Sequence, residues 1–297
     1  MGVLAKNRAY WVACRAIVPC AALILVPLAQ GFADTGAEAP KALRVCADPN
    51  NLPFTNRAGQ GFENRIADLI AHDLGVPVEY TWWPQRRGFI RNTLKAGRCD
   101  VVMGLPAGFE MAELTAPYYA STYVFVTRRG SGLENVRSLD DPRLRRVRIG
   151  LHVIGDDYSN VPPADALAAR GIRSNVIGYS IYGDYSKPNP PSQLIEAVAH
   201  GDVDIAIAWG PLGGYYAARA KPALVVTTME PDKDHRAIAP LEFAIAMGVR
   251  HGDHALRMKL QAALERHRRD IAHVLDQYHV PRASIAAAVQ RVASDQD

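Results

Sequence analysis

The chain has 297 residues, a length typical of two domains, and 48% of them are hydrophobic and 22% charged. This globular composition excludes wholesale disorder and rod-like repeats. The formal charge is +4, with 34 Lys and Arg against 30 Asp and Glu, but three of the cations and none of the acids lie in residues 1–33. The nearly neutral remainder argues against nucleic acid as a partner, because that affinity requires many cations that neutralise phosphates.

Residues 1–33 have the pattern of a secretory signal peptide. A short basic segment precedes an apolar run of about 14 residues, and Gly31 and Ala33 supply the small residues of a cleavage site. The run is shorter than the roughly 20 residues of a membrane-spanning helix, so we favour cleavage over a membrane anchor. We therefore expect a periplasmic protein with no stable membrane insertion after cleavage.

Two of the four cysteines, Cys46 and Cys99, lie outside this segment. Two cysteines in an oxidising compartment favour one disulfide. Two buried free thiols are the alternative, because the geometry of a disulfide is demanding.

Strand and helix signals alternate in the first half of the chain. Apolar residues at helical spacing from Phe62 to Ile70 predict a helix that ends at Gly75. The remaining signals are strands at 43–47 and 77–81, a helix from Phe89 to Gly97 and a buried strand at 100–103. This order predicts a parallel sheet with right-handed crossovers.

The second half repeats this order. Val147–Leu151 corresponds to Leu43–Ala47, and Val198–Ile207 to Leu94–Met103, both at an offset of 104 residues. In the second of these pairs a glycine ends a helix, and an apolar strand suited to burial on both faces follows. The sequence therefore predicts two small α/β units of the same strand–helix–strand order. Further strands are predicted near 175–178 and 223–228, and C-terminal helices between Leu256 and Leu275.

Two extended runs, 123–127 and 243–247, flank the second unit. We predict that they cross between domains, which gives an α/β fold of two lobes linked by two strands. The predicted boundaries are 42–127 plus 243–282 for lobe 1, 128–242 for lobe 2 and 283–297 for a C-terminal tail. Ligands of open α/β sheets bind beyond the carboxyl ends of the strands, so we expect the site in the cleft between the lobes.

Four motifs resemble family 3 of the periplasmic solute-binding proteins, the amino-acid type. They are Leu43–Pro49, Gly61–Glu63, Ala96–Val101 and Ala116–Tyr119. Their order and spacing cover nearly the whole mature chain. The resemblance implies the type II periplasmic-binding-protein fold, whose two lobes close on a small ligand delivered to an ABC importer.

A narrower resemblance is to one branch of that family, the quinoprotein-dehydrogenase-associated binding proteins of the MoxJ/XoxJ type. The segments that carry it are Cys46–Phe54, Tyr80–Phe89, Ile154–Asp157 with Pro162–Pro163, Tyr182–Tyr185 with Pro188–Pro191, and Ala208–Leu212. The Trp-Pro-Gln-Arg-Arg-Gly-Phe string at 83–89 is long enough to be specific. Members of the branch are encoded beside PQQ-dependent methanol dehydrogenases, so the resemblance implies a methanol or alcohol dehydrogenase as the partner.

The two segments that would grip an amino acid carry no charge. A ligand carboxylate calls for an Arg fork and an ammonium for an Asp or Glu, and in this family they come from the segments after matching strands of the two lobes. Here those segments are 104–109 and 209–214, both apolar and rich in glycine. An amino acid would bury unpaired charge there, which is costly. We expect an apolar group, an aromatic cofactor fragment or a peptide segment of a partner instead.

The candidate residues of the cleft lie at the predicted strand ends and in the branch motifs. They are Asn50, Asn51, Pro53, Phe54, Trp82, Trp83, Arg86, Arg87, Leu105, Pro106, Tyr118, Asp156, Tyr182, Trp209 and Pro211. Each has a structural alternative: a capped turn for the asparagines, core packing for the aromatic residues, a solvated helix start for the arginines, and a helix cap for Asp156.

Three functions remain open. We prefer an exported accessory protein that holds a PQQ-dependent dehydrogenase, or a segment of it, during maturation or activation. The second is an importer component for a small solute, and a small apolar ligand fits either of these two. The third is a hydro-lyase with Glu63 as general acid, which we disfavour because the expected loop lacks the cation for an anionic substrate. We expect no bound cofactor and no metal site, because the histidines lack converging partners, and no catalytic residue.

Overall fold

The computed structural model describes residues 41–153, 161–180, 190–231 and 240–294. Contacts divide the chain into the units Met1–Glu38 and Ala39–Asp297, and all described residues belong to the second. None of the helices in the described ranges combines the length and apolar character needed to cross a bilayer. The predicted signal peptide lies outside these ranges.

Lobe 1 is built on the parallel strands β1 and β5, with β4 on the far side of β1. Its elements are β1 (Leu43–Ala47), β2 (Asn50–Asn51), β3 (Thr55–Asn56), α1 (Phe62–Leu74), β4 (Val78–Trp82), α2 (Phe89–Asn92), β5 (Val101–Pro106) and β6 (Glu113–Leu114). The C-terminal helices are α6 (His254–Arg266), α7 (Arg268–Gln277) and α8 (Ile285–Ser294). Helix α1 ends as predicted, because Gly75 takes a left-handed φ of 69°.

Lobe 2 repeats the arrangement with β8 between β10 and β9, all parallel. Its elements are β8 (Ile149–Val153), α3 (Pro162–Ala169), β9 (Val176–Ser180), α4 (Gln193–His200), β10 (Ile205–Trp209), α5 (Gly210–Arg219) and β11 (Leu224–Thr228). Residues 210–214, which we predicted as a glycine-rich loop, are therefore the first half of a helix.

Two long strands join the lobes. They are β7 (Tyr119–Arg128) and β12 (Glu242–Val249), which pair with each other in antiparallel register. Strand β12 also pairs with β5 of lobe 1, whereas the later part of β7 pairs with β10 and β11 of lobe 2. This arrangement confirms the predicted two-lobed α/β fold with two linking strands.

The internal repeat has a counterpart in side-chain contacts. In lobe 1 the guanidinium of Arg44 pairs with Asp100 at 2.5 Å and donates to the carbonyl oxygen of Gly97. In lobe 2, 104 residues later along the chain, Arg148 pairs with Asp204 at 2.8 Å and donates to the carbonyl of Gly201. Each pair fixes the start of a parallel strand against its neighbour, so the two lobes share their local chemistry as well as their topology.

Two helices differ from the sequence predictions. The predicted helix from Phe89 ends at Asn92, because the hydroxyl of Thr93 donates to the Phe89 carbonyl and its φ of −119° leaves the helical range. The segment 283–297, assigned to a tail, contains α8. This helix packs Ala288 against Ala120 and Ala244 of the two linking strands.

Candidate functional site

The turn after β1 is fixed by a buried carboxylate. Asp48 is 3% exposed and accepts hydrogen bonds from the backbone N–H groups of Asn50 at 2.8 Å and Gln85 at 2.7 Å. The amide of Asn51 donates to the Gln85 side chain at 3.1 Å. Both predicted asparagines are thus half-buried members of a turn tied to the end of β4, and the Asp48 carboxylate is used within lobe 1.

The two tryptophans after β4 face opposite sides of the sheet, as consecutive strand residues do. Trp82 stacks on Tyr80 with ring centroids 4.5 Å apart, and the Arg57 guanidinium lies 5.6 Å from its ring. Trp83 packs against the core cluster around the Cys46–Cys99 disulfide. Both are half-buried, and an arginine guanidinium lies over each ring, that of Arg57 over Trp82 and that of Arg98, at 5.3 Å, over Trp83.

The disulfide between Cys46 and Cys99 is present and joins β1 to the residue before Asp100, with a Cα–Cα distance of 5.4 Å. This confirms the predicted bridge. The disulfide belongs to a buried hydrophobic cluster that also contains Phe89 and Leu94.

Segment 104–109, whose first three residues belong to strand β5 rather than to a loop, meets a carboxyl group that the segment itself does not contain. A Cβ atom at Gly104 would overlap Oε1 of Glu63, so glycine permits this close approach. Burial raises the pKa of Glu63 to about 8. At neutral pH the group is therefore mostly an uncharged acid, although part of its surface faces solvent.

The other predicted residues of lobe 1 divide between core and surface. Leu105 instead packs into the core, with 5% exposure, because alternation along β5 turns it away from Gly104. Pro106 is half-buried beside Ile245 of β12. Tyr118 donates its hydroxyl to the Met103 carbonyl at 3.0 Å, and burial raises its pKa well above the ordinary value. Arg86 and Arg87 are exposed.

Trp209 lies where the two lobes meet. Its ring contacts Tyr123 at 5.5 Å and Phe243 at 5.8 Å, and it packs against the hydrophobic clusters of both lobes. Trp209 is the last residue of β10 and the residue before α5, whose second residue, Pro211, is buried. No side chain of the described residues caps this helix start.

Tyr215 and Tyr216 of α5 make a further contact between the lobes, which we call the lobe contact and which was not predicted. The hydroxyl of Tyr216 on α5 donates to the Leu52 carbonyl at 3.0 Å, next to the predicted residues Pro53 and Phe54. The ring of Tyr215 stacks on Tyr278 with centroids 5.6 Å apart. Neither tyrosine belongs to a motif named above. Their positions four and five residues after Pro211, which suit one side of a helix, are the sequence signal that could have indicated this contact.

Two predicted residues, Asp156 and Tyr182, lie outside the described ranges. Within those ranges no three His, Cys, Asp or Glu side chains converge as a metal site requires. His254 pairs with the Glu113 carboxylate at 2.7 Å, and the same carboxylate pairs with Arg257.

Comparison with known proteins gives the family. Residues 43–281 match the bacterial extracellular solute-binding proteins, family 3. The chain is 32% identical over 284 residues to Protein MoxJ of Methylorubrum extorquens, and this match covers 90% of this chain and 92% of that protein.

Two solved structures are similar throughout. The periplasmic binding protein XoxJ from Methylobacterium extorquens AM1 has 33% identity and a TM-score of 0.66, and the match covers 82% of this chain and 99% of XoxJ. MxaJ from Methlophaga aminisulfidivorans MPT has 24% identity and a TM-score of 0.68, over 81% of this chain and 100% of MxaJ, which shows likeness of fold alone. The chain therefore belongs to the bacterial extracellular solute-binding proteins of family 3, in the branch of the MoxJ and XoxJ proteins.

Proposed function

We propose that this chain is a periplasmic accessory binding protein for a PQQ-dependent methanol or alcohol dehydrogenase. It binds the dehydrogenase, or a segment of it, during maturation or activation, and has no catalytic role and no bound cofactor of its own. The observation that carries the proposal is the absence of charge from segments 104–109 and 209–214, in a chain similar to MoxJ over 90% of its length.

Two carboxyl groups of lobe 1, those of Asp48 and Glu63, support this proposal. The Asp48 carboxylate already accepts two backbone hydrogen bonds, and Glu63 is mostly protonated at neutral pH. An uncharged Glu63 offers no ionised carboxylate for a ligand ammonium group, and the Asp48 carboxylate is buried against its backbone donors. A zwitterion buried here would lose hydration without a matching ion pair, which costs several kcal/mol per charge.

The test is complex formation between the purified mature chain and the purified dehydrogenase of the same organism, by sedimentation velocity. We expect a co-sedimenting complex at micromolar concentrations, and a lower specific activity of the dehydrogenase isolated from a strain that lacks this chain. Independent sedimentation at 100-fold higher concentration, with normal dehydrogenase activity in that strain, would overturn the proposal.

A second function, that of an importer component for a small solute other than an amino acid, is favoured by one observation. Helix α5 begins at the carboxyl end of β10 without a side-chain cap from the described residues, and the N–H groups of a helix start bind polar or anionic groups. A thermal-shift screen in which one small molecule binds tightly would favour this function over the first.

A further inference from the structure

Lobe 1 carries a basic stretch that the cleft does not use. Between Glu79 and Asp100 the sequence has no acidic residue and five cations. They are Arg86, Arg87, Arg91, Lys95 and Arg98, which we call the basic face. Outside this stretch and residues 1–33, the chain has 26 Lys and Arg against 30 Asp and Glu. The charge of the mature chain is therefore segregated: this stretch is positive and the rest is net negative.

The fold turns all five cations to solvent. Their side chains are exposed, whereas Phe89, Ile90 and Leu94 of the same segment are buried against the Cys46–Cys99 disulfide. The hydroxyl of Thr81 on β4 donates to the Arg98 carbonyl at 2.8 Å and fixes the end of the segment. These contacts tie the basic face to the buried core of lobe 1.

Most of this charge is uncompensated. Within the described ranges, Arg87, Arg91, Lys95 and Arg98 make no ion pair, whereas Arg44 and Arg250 behind them both pair with Asp100. Exposed cations of one sign repel each other over about 8 Å at physiological ionic strength. A surface with such uncompensated positive charge attracts a negatively charged partner.

The basic face also borders the ends of the lobe 1 strands. The Arg98 guanidinium lies 5.3 Å from the ring of the half-buried Trp83, and Gln85 connects the segment to Asp48 and Asn51. Arginine and tryptophan are enriched at the centres of protein interfaces. No large apolar side chain of the stretch is exposed, unlike the faces of helices that insert into membranes.

We propose that the basic face is a docking surface for an acidic surface of a folded protein. The inference rests on the proposed function in one respect, since the dehydrogenase is the protein expected to carry that acidic surface. Opposite charges accelerate encounter and set orientation more than they raise affinity, so the basic face would steer the partner toward the adjacent strand ends.

The test compares two triple variants of equal charge change. The first is Arg87→Glu/Arg91→Glu/Lys95→Glu, which leaves Arg98 over Trp83. The control is Arg146→Glu/Arg268→Glu/Arg269→Glu, whose residues are exposed elsewhere. Association with the immobilised dehydrogenase is followed between 50 and 300 mM salt, and a thermal melt of each variant verifies folding. We expect the basic-face variant to associate at least roughly tenfold more slowly, with a weaker salt dependence, and the control to change less than twofold.

Equal loss in both variants, or no loss in either, would overturn the inference while the proposed function stands. A second readout does not need the dehydrogenase: amide NMR shifts of the wild type on titration with a 12-residue polyglutamate peptide. Shifts confined to residues 85–98 support the inference even if the dehydrogenase does not bind, in which case only the proposed function fails. Shifts spread over both lobes would overturn the inference. It would also be overturned if the basic-face substitutions weakened binding to phosphatidylglycerol vesicles more than binding to the dehydrogenase.

Discussion

Folding changes the protonation of Glu63. Its carboxyl lies against Gly104 and its pKa rises to about 8 because of burial, from an unfolded value near 4.3. The folded protein therefore binds a proton that the unfolded chain releases between these two values. The contribution to stability is complete below about pH 4 and is lost as the pH rises to about 8.

The substitution Glu63→Gln should remove this loss. Because part of the side chain still faces solvent, we expect the variant to gain about 1–2 kcal/mol relative to wild type between pH 5 and pH 8.5. Urea unfolding at the two pH values measures this difference. The exposed Glu110→Gln is the control, and parallel pH profiles for wild type and Glu63→Gln would contradict the assignment.

The pKa shift of His152 has the opposite effect on how stability depends on pH. It is 3% exposed, and burial lowers its pKa to about 4, so the unfolded chain binds the proton first as the pH falls. Stability is lost from about pH 6.5 down to about pH 4. We expect His152→Gln to flatten this part of the stability profile by up to about 3 kcal/mol, measured by denaturant unfolding at pH 7 and pH 4.5. An unchanged acid-side profile in the folded variant would show that another group is responsible.

At the scale of elements, the sequence predicts those parts whose signals are local. Helix α1 and strands β1, β5, β8 and β10 follow from apolar periodicity and glycine stops. Helix α5 does not, because Gly210, Gly213 and Gly214 lower its helix propensity. Their role is tertiary: side chains at these positions would overlap Ser121, Val124 and the His279 carbonyl.

The candidate site likewise has parts that local sequence signals predict and parts that they do not. The polar turn at Asn50 and Asn51 and the position of Trp209 between the lobes agree with their places at strand ends. The approach of Glu63 to Gly104 depends on how α1 packs, and the hydrogen bond from Tyr216 to Leu52 joins residues 164 apart. The apolar periodicity of a sequence carries no information on such long-range contacts.

The disulfide belongs to this scale, because it joins β1 to the start of β5 across 53 residues. Removing it as Cys46→Ala/Cys99→Ala should cost about 2–4 kcal/mol of stability, since the unfolded chain loses a constraint on a long loop. Thermal unfolding of the variant and of the wild type with and without reductant measures this. A reduced wild type as stable as the oxidised form would contradict a structural role.

For the whole molecule, the repeat and the lobe contact matter together. Two lobes with equivalent Arg–Asp pairs are joined by β7 and β12 and also touch through Tyr215 and Tyr216. The Gly214 backbone lies so close to the His279 carbonyl that a side chain would not fit. The lobes of this structure are therefore in direct contact on one side, not merely linked.

The substitution Gly214→Ala tests this contact. We expect a loss of about 1–3 kcal/mol from overpacking and an increase in the radius of gyration as the lobes separate, measured by thermal unfolding and small-angle X-ray scattering. Ala218→Ser, on the exposed side of the same helix, is the control. An unchanged melting temperature together with an unchanged scattering curve would contradict the close packing of α5 on lobe 1.

We propose that this solute-binding fold does not bind a zwitterion, because segments 104–109 and 209–214 are uncharged and burial raises the pKa of Glu63 to about 8. The most direct measurement is isothermal titration calorimetry of the mature chain with each of the twenty amino acids at pH 7. We predict no saturable heat up to millimolar concentration. Saturable binding of any amino acid with a micromolar dissociation constant would contradict the claim and make an ordinary nutrient receptor the better account.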